Sequence, residues 1–166
     1  HKVNHRVSLI DIFPTVLDIM AIDGSGLAQG LSLLPALDGK TLPERSLYFE
    51  SFFLAEVMGC APVTGIIRES QKFIDLPKPE IYNLLEDPLE KNNIFSESKN
   101  ILLKLRKEKT NIIRKFQLQS LKSQRRMTAQ EKEKLLSLGY LTGSSRVGSN
   151  IQGLPDPKDK IEAYVE

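Results

Sequence analysis

The chain has a single cysteine, Cys60, which rules out an intrachain disulfide and leaves the redox compartment undecided. It has no apolar run of roughly 18 residues, the length a membrane-spanning helix needs. Its first residues, His1-Lys2-Val3-Asn4-His5-Arg6, include neither an initiator Met nor an apolar signal segment. That beginning reads as an internal start, with any targeting segment expected upstream. No internal repeat is found. What is present is ordinary: 166 residues, 40% hydrophobic and 27% charged, enough for one globular domain with added elements.

The net charge of +2 is unevenly spread. Residues 1–95 carry 8 Lys/Arg against 13 Asp/Glu, whereas residues 99–126 carry 10 Lys/Arg against Glu108 alone. Charge divided in this way predicts a division in structure as well. The expected parts are residues 1–95, a helical extension over 96–141, and a flexible linker or tail over 142–166.

Within the first part, Phe13, Val16, Leu17 and Met20 recur at helical spacing. Pro14 fixes where that helix begins, because an interior proline costs about 3 kcal/mol whereas first-turn amides have no intrahelical partner to lose. Asp11 as N-cap puts Pro14 in the first turn. Asp23-Gly24-Ser25-Gly26 then ends the helix. Residues 30–43 read as an ordered loop with Leu31, Leu33 and Leu34 turned inward. Strand-prone runs follow at Leu47-Tyr48-Phe49, Val63 to Arg68, Lys72-Phe73-Ile74 and Glu80 to Leu84, with a hairpin across Glu69-Ser70-Gln71. These predict an α+β fold: a small four-stranded antiparallel sheet packed against a helix, the first helix being the expected cover.

A long basic helix is expected from about Glu97 to Leu121, capped by Ser96, with Leu102, Leu105, Ile112 and Phe116 as a narrow apolar stripe. A short helix from Thr128 to Leu138 should carry a capping box between Thr128 and Glu131. Gly, Ser and Asn dominate from Thr142 to Leu154, and Asp156 to Glu166 has the makings of another helix.

In order, Val7 to Leu17, Gly30 to Leu37, Arg45 to Glu50, Gly59 to Arg68, and Lys72-Phe73-Ile74 with Pro79 to Leu84 and Asp87 to Ile94 resemble the C-terminal region of sulfatases, members of the alkaline phosphatase superfamily. Each block is weak alone; their shared order over about ninety residues is specific. Leu136 to Leu141 and Asp156 to Asp159 resemble the extension of bacterial sulfatases that precede helical repeats, which are absent here. The resemblance implies a C-terminal fragment of a sulfuric ester hydrolase, inactive alone, that supplies scaffold and part of the substrate-cleft rim. Its partners would be the missing N-terminal catalytic domain and a sulfated substrate. A periplasmic or extracellular location would fit the family.

Sulfatases use a formylglycine made within Cys/Ser-x-Pro-x-Arg, beside a calcium held by carboxylates and amides. The resemblance places calcium and formylglycine in the missing N-terminal domain, with no cofactor bound by this chain and no catalytic or metal residue in it. Cys60-Ala61-Pro62-Val63-Thr64 imitates the motif, but Thr64 stands where Arg is required. A buried or loop cysteine is the better reading. His1 and His5 have metal-ligand spacing without a carboxylate partner at the matching turn, and Asp11 and Asp18 are explained by capping and solvent. The resemblance puts Glu50, Met58, Gly59 and Arg68 near the cleft rim, as candidates for substrate contact.

Two alternatives stand beside this. One is a phosphodiesterase or phosphoglycerol transferase of the same superfamily, since the residues that separate sulfate from phosphate esters surround the metal. The other is a polyanion-binding module built on the basic helix 99–126. Against this module, basic positions surround the apolar stripe as they would on any solvated helix, and aromatic interleaving is limited to Phe116; nucleic acid is not an expected partner.

Overall fold

The computed structural model describes residues 5–24, 26, 28–121, 128–137 and 153–161. The chain divides into two compact units, His1–Leu47 and Tyr48–Glu166.

In the first unit, helix α1 spans Ile12–Ile19, following a 3-10 turn over Leu9–Asp11. Pro14 falls in its first turn, as its missing amide hydrogen requires. The stretch expected as loop at 30–43 contains a short helix, α2, over Leu34–Leu37, with Pro35 in its first turn. Gly30 makes a close approach possible here: a Cβ on it would lie 2.2 Å from the carbonyl oxygen of Ile10, a backbone atom that has nowhere to go. Several large apolar residues of this unit are exposed, Leu9, Ile12, Phe13, Ile19 and Met20 among them.

The second unit is built on a four-stranded antiparallel sheet in the order β1-β2-β3-β4. Its strands are β1 (Leu47–Ser51), β2 (Val63–Arg68), β3 (Gln71–Asp75) and β4 (Glu80–Asn83). A helix, α3 (Phe53–Met58), connects β1 to β2. The β2–β3 hairpin closes on the Arg68↔Gln71 pair, with Glu69 at φ 49° in the turn. Register decides the core. Ile66 lies opposite Phe73, and Phe73 opposite Ile81, so the three form one row across a single face. On the other face the ring of Phe49 sits over Gly65, where a Cβ would come within 2.2 Å of it and 2.4 Å of the Phe73 carbonyl oxygen.

Helix α4 (Lys99–Leu121) buries that row: Leu105, 2% exposed, completes the core with Ile66, Phe73 and Ile81. Ile94, Phe95, Ile101, Leu102 and Ile112 pack around them. The helix on this row is the basic one, which the sequence reading did not expect as a cover. The reason lies in its flanks. Lys109 donates to the Thr64 hydroxyl (2.9 Å) and pairs with Asp75, Arg106 also reaches Asp75 (3.4 Å), and Arg68 pairs with Glu108. Thr64, Arg68 and Asp75 share the face of Ile66 and Phe73 by register, so the polar edges of helix and sheet meet in complement.

The helix begins at Lys99, after a 3-10 turn over Phe95–Glu97 that contains Ser96. A last helix, α5 (Ala129–Ser137), carries the expected capping box. The Thr128 amide donates to Glu131 (2.8 Å) and the Glu131 amide to the Thr128 hydroxyl (3.3 Å). Within the segment expected as linker, the described residues 153–161 dock on the second unit. Asp156, almost wholly buried, accepts the Lys78 amide (2.8 Å) and the Lys158 amide (3.0 Å). Ala61 donates its amide to the Pro155 carbonyl (2.9 Å). The remainder of 142–166 lies outside the described residues.

Leu105→Ala is expected to destabilise the second unit by about 2–5 kcal/mol, the range for a fully buried leucine truncated in a core that cannot collapse. Urea unfolding followed by circular dichroism checks this. Leu103→Ala, on the same helix but 71% exposed, is expected to change stability by no more than about 0.5 kcal/mol.

Candidate functional site

The residues expected at a cleft rim lie at the ends of two strands and one short helix. Glu50, on β1, accepts a hydrogen bond from the Tyr48 hydroxyl (2.6 Å). Burial of the Tyr48 ring, followed by that bond and the nearby carboxylate charge, pushes the phenol well above its ordinary range, so Tyr48 remains a donor. Met58 ends α3, and Gly59 closes it in the left-handed region (φ 64°), donating its amide to the Ala55 carbonyl at 3.1 Å. Arg68 ends β2 and is engaged by Glu108 of α4 and by Glu69 (3.4 Å). The bond to Glu108 raises its pKa, so it remains a cation. No hydrogen bond or ion pair among the described residues joins the side chains of Glu50, Met58 and Arg68 to one another.

Cys60 is 2% exposed, flanked by buried Ala61 and Pro62, with its sulfur 3.9 Å from the Met58 carbonyl oxygen. The cysteine is thus buried, one of the two placements, buried or loop, that the sequence reading allows it. Among the described residues no group of three or more His, Cys, Asp or Glu converges as a cation site would need. Of the two histidines, His5 is described and His1 lies outside the described residues.

The strongest electrostatic centre is one that local spacing assigns to capping and solvent. Asp11 has no exposed surface. It accepts the Ser8 amide (2.7 Å) and the Leu31 amide (3.0 Å), and both oxygens pair with the Arg45 guanidinium, one at 2.8 Å. Thr15, one turn on, donates its hydroxyl to the Asp11 carbonyl and accepts the Leu33 amide at 2.9 Å. Burial by itself raises the Asp11 pKa. The guanidinium bond and the two amide bonds outweigh it, and the carboxyl sits below its ordinary value. The centre is therefore structural. It ties α1 to the 31–33 backbone and to Arg45 immediately before β1. The missing signal is a partner 34 positions away, which local spacing does not reveal.

A second, locally legible lock is Asp87, lowered first by the Asn92 amide bond (2.7 Å), which fixes the Asp87-Pro88 turn. Tyr82 is buried within β4, and that burial, ahead of the charge on Glu80, raises its pKa.

Residues 1–119 match the family model described as N-sulphoglucosamine sulphohydrolase, C-terminal. Arylsulfatase K of Rattus norvegicus is 32% identical over 122 residues, covering 68% of this chain and 22% of that protein. Arylsulfatase K of Mus musculus is 32% identical over 117 residues, covering 64% and 21%. The chain thus spans about a fifth of the length of the curated relatives it matches. Among solved structures, BT4656 in complex with its substrate D-glucosamine-2-N,6-O-disulfate aligns with a TM-score of 0.48 and 30% identity, covering 66% of this chain and 23% of that one.

Asp11→Asn is expected to destabilise the first unit by about 3–5 kcal/mol, because it leaves the Arg45 guanidinium without its charge partner. Since the folded pKa is depressed, the stabilisation is complete above the unfolded value of 3.8 and is lost as pH falls through the folded value. Hydrogen exchange at the Leu31 amide should accelerate in the variant, and in the native chain only on acidification below that window.

Proposed function

We infer the function from one premise: this chain belongs to the N-sulphoglucosamine sulphohydrolase C-terminal family. On that premise it is the C-terminal part of a sulfatase-type hydrolase of the alkaline phosphatase superfamily. It supplies scaffold and one wall of the substrate cleft, and it does not turn over a sulfate ester by itself. The single observation that carries this is the family match over residues 1–119 in a chain spanning about a fifth of its relatives.

One feature of the molecule supports it. The apolar residues exposed around α1, including Leu9, Phe13 and Met20, form a surface suited to docking on an upstream catalytic domain. On this reading the nucleophile and the cation both reside in that upstream domain. No helix of the described residues is long and apolar enough to cross a membrane.

The proposed rim comprises Glu50, Met58, Gly59 and Arg68. Arg68 enters it as the partner of Glu108 rather than as a free cation, so its contribution to a bound sulfate would be long-range and weak. Glu50, held by Tyr48, would limit how close an anionic group approaches that edge. A sulfated sugar is the substrate class this proposal favours, consistent with the family description.

The test is direct. The purified chain with calcium and an aryl sulfate or N-sulfoglucosamine should release no sulfate above the buffer rate, whereas the product of the complete gene should. Chelator-sensitive turnover by the chain alone would overturn the proposal.

A further inference from the structure

The outer face of α4 carries positive charge that the fold does not use. Glu108, the only acidic residue in Lys99–Leu121, turns to Arg68 on the sheet, while Arg106 and Lys109 turn to Asp75. Lys99, Lys104, Lys107 and Arg114 are exposed and have no ion pair among the described residues. At the helical rise, Lys104 to Arg114 spans roughly 15 Å, and the helical period sets Lys107 and Arg114 on the side away from buried Leu105, with Lys104 and Lys99 on its two flanks. The inward pairing therefore removes the one negative charge from the helix surface and leaves the outer side cationic. Folding sharpens a charge asymmetry that the sequence only suggests.

We propose that this face binds an extended sulfated polysaccharide, through Lys107 and Arg114 with Lys99 and Lys104 at its margins. Such a chain carries fixed anions at intervals along a polar backbone and needs no apolar pocket, which suits a convex helix surface without one. Single-stranded nucleic acid would fit less well. Its bases are held on aromatic platforms, and the helix has only Phe116, whose ring already has the Lys115 ammonium 5.8 Å from its centroid. The cations are held on a regular helix anchored by Leu105, so they are presented in a fixed arrangement rather than on a loop. Attraction of this kind is long-range and salt-dependent. Binding is measured apart from sulfate release, so its failure and the failure of the hydrolase reading are distinguishable.

The experiment is heparin-column elution of the chain in a sodium chloride gradient, with titration by fluorescence anisotropy at several salt concentrations. Lys104→Gln/Lys107→Gln/Arg114→Gln should elute at clearly lower salt. Its slope of log affinity against log salt should fall by roughly one for each cation that no longer meets an anion. A control with three cations removed elsewhere, Arg6→Gln/Lys40→Gln/Lys91→Gln, should elute near the native position. A charge-preserving variant, Lys104→Arg/Lys107→Arg/Arg114→Lys, should retain binding, and circular dichroism should be unchanged in all three. Equal weakening in the helix and control variants would reduce the effect to net charge and overturn the proposal. So would unchanged retention of the helix variant. An oligo(dT) of matched charge that competes as well as heparin would overturn the assignment to a sulfated polysaccharide in favour of nucleic acid.

Discussion

Leu105 seated over the Ile66–Phe73–Ile81 row is the contact on which the second unit depends. A four-stranded sheet with one uncovered apolar face is not stable in water, and the described residues offer only one long helix to cover it. That helix is strongly charged, with few apolar residues to offer. It packs because its apolar side is narrow and matched to a single cross-strand row, and because its flanking charges find Thr64, Asp75 and Arg68 at the margins of the same face. Partial burial strengthens such pairs relative to exposed ones, although none replaces the apolar contact as the main stabilising contribution.

The first unit solves the same problem differently. It has little buried apolar surface of its own, with Ala36 its one buried apolar residue among those described, and it is organised around a charge. Asp11 gathers Ser8, Leu31 and Arg45 about one carboxylate, and Gly30 permits the backbone approach that brings Leu31 within reach. A small polar hub of this kind defines a conformation while leaving apolar side chains outward. That is the arrangement expected of a segment whose apolar partner lies in another part of the protein.

Much of the fold is legible from residues alone. The strand positions follow from β-branched runs separated by polar breaks, and the start of α1 from the one place Pro14 is tolerated. The Thr128–Glu131 box follows from its spacing. What escapes a reading of the sequence is long-range. Arg106, Glu108 and Lys109 look like a solvated helix face until the strand register places Asp75 and Arg68 beneath them, so periodicity alone does not reveal that the basic helix packs on this row. Asp11 looks like a simple cap because Arg45 is remote in sequence. α3 is too short, at six residues, to show a helical period. Asp156 lies in a stretch whose composition suggests a linker, and only the Lys78 amide, 78 positions away, reveals that it is anchored. The candidate rim residues rest on family resemblance rather than on local physics, and the structure gives Glu50 and Arg68 partners that no spacing rule predicts.

Family membership and the exposed apolar residues around α1 underlie the division of labour proposed above, in which this chain shapes and supports while the bond-breaking groups reside upstream. The most direct measurement is hydrogen–deuterium exchange compared between the chain alone and the product of the complete gene. Slower exchange over residues 9–20 in the larger protein, with the β2–β4 core unchanged, is the expected result. Identical exchange over residues 9–20 in both would contradict it, because the exposed apolar surface would then have no partner in the larger protein.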